Sequence, residues 1–115
     1  MHIPSKAIRR ERSDREMNGQ GHILTDFLLE GESLPSGANM FAVVTIGQDC
    51  SIGKHVHEGE TEVYYCLSGK GSLDDNGEAV IFRPGDIHTC GGGAYHTIVN
   101  DQEEPLRFLV AIVSD

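Results

Sequence analysis

The run Asp49-CSIGK-His55-V-His57-EGET-Glu62-VYYCLS-Gly69 reads as two short strands with chemistry gathered where they join. Residues 51–57 alternate, and residues 62–67 (EVYYCL) are rich in β-formers and stop at Ser68-Gly69. Successive side chains on a strand point to opposite faces, so His55 and His57 share one face, and Glu62, Tyr64 and Cys66 share one. A short polar crossing, Glu58-Gly59-Glu60-Thr61, separates the pairs. A hairpin returning the second strand beside the first would set the Glu62 carboxylate near both rings. Glu58 and Glu60 read as solvated loop acids. A third imidazole, His96, opens a later strand after Gly91-Gly92-Gly93. Three neutral rings and one carboxylate suit a borderline divalent transition metal such as Mn, Fe, Co, Ni or Zn. They suit Ca or Mg poorly, because those ions take oxygen ligands.

Strand and turn alternate on either side of this run. Residues 22–29, 40–46, 71–73, 78–82, 96–99 and 106–113 are β-rich and bounded by Gly, Pro, Asn and Asp. Asp74-Asp75-Asn76-Gly77 between two of them predicts a hairpin, since Asn-Gly accepts positive φ at a two-residue turn. No stretch keeps a 3.6-residue apolar stripe over three turns. The pattern predicts an all-β sandwich or barrel over residues 22–115. Residues 1–21 lack apolar periodicity, end in Asn18-Gly19-Gln20-Gly21, and read as an N-terminal arm outside the core, either solvated or docked on a second subunit.

Charge divides the same way. Residues 1–16 carry five cations and three acids, whereas the rest carries four cations and fifteen acids. The net charge of −9 argues against nucleic acid or an anionic membrane as partner. The longest apolar run, residues 108–113, is far below the roughly 20 residues of a membrane span. No apolar stretch of a signal peptide follows Met1, and Cys50, Cys66 and Cys90 form no C-x-x-C pair. Reduced thiols and a cytoplasmic location are expected.

The spacing of the histidines resembles the two motifs of the cupin superfamily. The first runs G, five residues, H-x-H, three or four residues, E, six residues, G, and residues 49–69 match it at every functional position, with Asp49 in place of the opening Gly. The second runs G, five residues, P-x-G, two residues, H, three residues, N. Here it reads Gly85-DIHTC-Gly91-G-Gly93-AY-His96-TIV-Asn100, with Gly91 in place of Pro. The 15 residues between Gly69 and Gly85 give a compact single-domain spacing. Both departures fall on turn positions rather than ligands.

The resemblance implies a single-domain cupin, a jelly-roll-like antiparallel barrel (double-stranded β-helix) of the small bacterial kind. It implies one divalent metal held by His55, His57, Glu62 and His96 at the barrel mouth, with one or two coordination positions open. It places Tyr64 and Cys66 on the pocket wall, and a homodimer is expected because small cupins commonly pair. Such a site has net charge about +1, which attracts a small-molecule anion or polyol. The expected function is a metalloenzyme that oxygenates, decarboxylates or isomerises a small oxygen-rich metabolite (carboxylate, enediol or polyol), with Glu62 also able to serve as a catalytic proton acceptor. The alternative is a non-catalytic binding or sensing protein with a structural metal. His88 falls outside the motif and reads as a surface histidine or one lying behind the ligands. Arg107 and Arg83 read as outward ion-pairing residues.

Overall fold

The computed structural model describes residues 1–115 and contains ten strands in two antiparallel sheets. In chain order they are β1 (Arg9–Asp14), β2 (His22–Leu29), β3 (Ala38–Ile46), β4 (Ser51–Val56), β5 (Glu60–Ser68), β6 (Gly71–Asp75), β7 (Glu78–Phe82), β8 (Ile87–Gly91), β9 (Tyr95–Val99) and β10 (Leu106–Ser114). The larger sheet has the order β1-β2-β3-β10-β5-β8, the smaller β4-β9-β6-β7. Helix is confined to single 3-10 turns at Ser5–Ala7, Glu16–Asn18 and Gly31–Ser33. No helix is long and apolar enough to cross a membrane.

The core lies between the sheets, where alternate residues of each strand meet. Val44 and Ile46 of β3, Tyr64 and Cys66 of β5, and Phe108 and Val110 of β10 face Ile52, Leu73, Phe82 and Ile98 of the smaller sheet. Tyr64 and Phe108 have ring centroids 4.5 Å apart, and Phe82 lies 6.1 Å from Phe108. Such aromatic pairs add roughly 0.5–1.5 kcal/mol beyond the area they bury. The even-numbered residues of β3 thus face inward, a choice that composition leaves open.

The turns follow from local chemistry. Asn76 and Gly77 have φ of 49° and 98° between the paired residues Asp75 and Glu78, the two-residue turn expected there. Asp49 has φ 61°, so the side chain standing where the motif has Gly occupies a left-handed position that Asp tolerates. Asn100 secures that turn. Its carbonyl accepts from the Asp49 N–H at 2.8 Å, and its side-chain amide donates to the Ile46 and Glu104 carbonyls, each at 2.9 Å.

Three expectations change. The join between residues 57 and 62 is not a hairpin, because β4 and β5 belong to opposite sheets and the chain crosses between layers there. Residues 87–91 form a strand that the hydrophobic pattern hides: His88 and Cys90 point inward while Ile87 is 61% exposed. Residues 1–21 contribute no buried side chain, yet they are not a detached arm. β1 pairs with β2 along its whole length, from Arg9 opposite Phe27 to Asp14 opposite His22, and Arg10 Nε lies 2.6 Å from Asp26 Oδ1. An apolar-free strand is stable there because backbone bonds and a cross-strand ion pair hold it on the edge.

β4 carries an irregularity that aims the site. Ile52 is opposite Ile98 but His55 is opposite His96, so one extra residue lies in β4 between these pairs. Such a bulge resets parity and lets Ile52 and His55 both face inward. The 3-10 turn at Glu16–Asn18 docks against it so closely that a Cβ on Gly53 would collide with the Met17 carbonyl oxygen. Gly53→Ala is therefore expected to destabilise the protein by about 1–3 kcal/mol in chemical denaturation. It should also raise amide exchange at residues 15–19; wild-type stability and protection would contradict this docking.

Candidate metal centre

Three strand elements and one crossing deliver four side chains to one point. His55 and His96 are directly opposed on β4 and β9, His57 continues the inward face of β4, and Glu62 enters from β5 of the other sheet. His55 Nε2 lies 2.9 Å from His96 Nε2, while Glu62 Oε1 lies 2.9 Å from His57 Nε2, 3.0 Å from His96 Nε2 and 3.8 Å from His55 Nε2. Atoms bound to one ion at about 2.0–2.1 Å sit about 3 Å apart when adjacent. Despite these short approaches, His57 Nε2 and Glu62 Oε1 are buried without a hydrogen-bond partner. They converge on a shared centre and do not satisfy one another. Orphaned buried polar atoms cost roughly 1–3 kcal/mol each unless something meets them. The group of four could hold a metal ion.

Each ring is oriented from behind. The Gly53 carbonyl lies 2.7 Å from His55 Nδ1, so that nitrogen carries a proton, and in the neutral ring Nε2 presents a lone pair. Glu60 Oε1 stands 3.3 Å from His57 Nδ1 and acts on that ring in the same sense. His88 Nε2 lies 2.9 Å from His96 Nδ1. Tyr64 stacks on His96 with centroids 5.1 Å apart and planes 20° from parallel.

Burial opposes charge on Glu62, but contacts from His55 and His96, with the field of His57, outweigh it and bring its pKa down to about 2. For His55, burial favours the neutral ring, and Glu62 with the Gly53 carbonyl overcomes this and raises the pKa. Burial, with His96 adding to it, lowers the pKa of His88. The Cys90 thiol is pushed up to about 11 by burial and then by Glu62 and Asp75.

A cavity of about 400 Å³ opens beside these groups between the sheets. His55, His57, Glu62 and Tyr64 line it, and His96 lies directly behind. Cys66, expected on the same wall, does not line it: one pleat pair further along β5 the sheets have closed, and Cys66 is packed in the core. Glu60 is not a merely solvated acid, since it touches His57 and lines the cavity. Its parity with Glu62 was the available signal. His88 is buried behind His96, and the N-terminal segment supplies Glu11, Ser13, Glu16 and Met17 to the rim. Arg107 and Arg83 are exposed and do not reach the cavity. A wider groove of about 930 Å³ between residues 67–70 and 101–104 holds none of the converging groups, so volume alone would misplace the site.

Two interleaved sheets enclosing a His-His-Glu-His cluster define a cupin, and residues 42–112 match the family described as Cupin domain. The chain belongs to that family. It is 35% identical over 113 residues to a protein of Thermotoga maritima named oxalate-binding protein, covering 98% of this chain and 93% of that one. A solved structure described as a predicted oxalate decarboxylase from Thermotoga maritima superposes with a TM-score of 0.93 at 35% identity, covering 100% of both chains. A polyketide cyclase from Streptomyces resistomycificus shares the fold alone, with a TM-score of 0.80 at 18% identity over 100% of this chain and 80% of that one.

Two outcomes follow from the support around the rings. Removing the group behind His96 in His88→Leu should weaken divalent-ion binding by about 10–100-fold, with partial recovery in His88→Gln, which keeps an acceptor. Equal affinities by calorimetry would contradict the role given to His88. Glu62 has a folded pKa below its ordinary 4.5, so its stabilising contribution is complete above that pH and fades as pH falls toward about 2. Acid unfolding of the metal-free protein should lose that component in Glu62→Gln; an unchanged acid limb would contradict it.

Proposed function

We propose that His55, His57, Glu62 and His96 hold one divalent transition-metal ion, and that the protein uses it to bind and transform a small metabolite through adjacent oxygen atoms. The observation that carries this reading is the pair of buried, unpartnered atoms, His57 Nε2 and Glu62 Oε1, aimed at the same point as the other two rings. The donor set of three imidazoles and a carboxylate fits Mn, Fe, Co, Ni or Zn. An ion there would supply positive charge that draws and polarises carboxylate or carbonyl oxygens. Relatives named for oxalate binding and predicted oxalate decarboxylation support an oxygen-chelating ligand.

The chain's own residues set the stage. Gly53 and Glu60 keep His55 and His57 with their Nε2 lone pairs inward. For His96 to present Nε2 in the same way, its Nδ1–H donates to His88 Nε2, which burial keeps neutral and able to accept. Tyr64 covers one face of His96 and excludes water from it. A second reading, binding without turnover, is favoured by one observation: the ionisable groups bonded to the ring nitrogens either join the cluster (Glu62) or orient a ring (Glu60, His88). None stands apart as a proton shuttle.

Titration of metal-free protein with Mn, Fe, Co, Ni and Zn salts should give one ion per chain and a raised Tm. His96→Ala and Glu62→Ala should each lower affinity about 100-fold or more. Affinity should fall as pH drops through the imidazole range of about 6–7. No binding at micromolar ion, or binding unchanged in both variants, would overturn the proposal. Consumption of oxalate or of any α-keto acid by the loaded protein would establish turnover over binding alone.

A further inference from the structure

The cavity's lining says more about the ligand than the converging groups do. Much of its wall is apolar, formed by Phe27, Met40, Val44, Ile52, Val110 and Ile112 from four strands. Its charged members are all acids: Glu11, Glu16 and Glu60 join Glu62, and no Lys or Arg lines it. Arg9 lies over the outer side of the cavity's rim, 4.1 Å from the Phe27 ring centroid, where it is ion-paired with Glu11 and Glu30 and is not among the lining residues. Even with a divalent ion in place, the carboxylates of Glu16, Glu60 and Glu62 outnumber its charge.

A two-carbon diacid would fill a small part of about 400 Å³ and leave the apolar walls unmatched. A second anionic group reaching past the ion would meet acids and hydrocarbon with no cation to receive it, a desolvation that nothing offsets. An apolar tail would instead displace water from hydrocarbon surface. We infer that the cavity takes a monoanionic or neutral ligand with a chelating oxygen pair at one end and an apolar body at the other, and that it selects against a second carboxylate. The inference rests on the metal-binding reading and deepens it by naming the class of ligand.

Three α-keto acids share a head group and differ only in the tail: pyruvate, α-ketoisocaproate and α-ketoglutarate. Calorimetry on the Mn-loaded protein, with ion stoichiometry measured first, should show α-ketoisocaproate bound at least about tenfold more tightly than pyruvate. α-Ketoglutarate should bind no more tightly than pyruvate. Met40→Ala should shrink the isobutyl advantage, and Glu16→Gln should raise α-ketoglutarate affinity relative to α-ketoisocaproate. If an ion binds but α-ketoglutarate equals or exceeds α-ketoisocaproate, the ligand class is wrong while the metal site stands. If no ion binds, the metal reading fails and takes this inference with it.

Discussion

Three imidazoles from one sheet and one carboxylate from the other must meet out of water, and most of the architecture can be understood as what permits that meeting. The carboxylate of Glu62 is buried among ring nitrogens whose protons are drawn to the far side by Gly53 and Glu60. An isolated charge at such depth would be expelled or neutralised. In the metal-free protein it stays ionised because ring protonation, favoured at His55, turns positive charge toward it, and the strands carrying the rings cannot separate without exposing the aromatic core around Tyr64, Phe82 and Phe108. The polar centre and the hydrophobic core are therefore one continuous object, with Tyr64 belonging to both.

The two layers are joined through side chains at this end. His88 reaches from the larger sheet to His96 on the smaller, and Glu62 does the same beside it. Rigid strands supply all but one of these groups, which suits a site that needs its geometry before the ligand arrives. The exception is His57, just past β4, and its backbone is fixed by bonds to Ala94 and from Gly93.

Much of this was readable from the sequence because chemistry and spacing coincide in the two motifs. H-x-H names a strand face, Asn-Gly names a turn, and the Gly-bounded β-rich runs gave eight of the ten strands. What escaped has a physical cause in each case. β8 buries a histidine and exposes an isoleucine, so its hydrophobic alternation points the wrong way. β1, written RRERSD, has no apolar residue at all because it is held by backbone pairing and ion pairs at a sheet edge. The bulge in β4 leaves no compositional mark beyond a glycine, yet it decides that Ile52 and His55 share a side. Cys66 shares parity with Glu62, but parity fixes only the face, and the depth at which the cavity ends depends on how the sheets converge.

The position of β10 has a consequence for synthesis. It is made after the other nine strands, yet it lies at the middle of the larger sheet, between β3 and β5. Until residues 106–114 emerge, β1-β2-β3 and β5-β8 are separate ribbons, each with an unpaired apolar margin waiting for the same missing partner. Nascent chains stalled before this point would present two adhesive borders instead of a closed layer, the kind of surface that chaperones capture. Vectorial production thus leaves the pocket unformed until this stave drops into place, however early the histidines of β4 have been made.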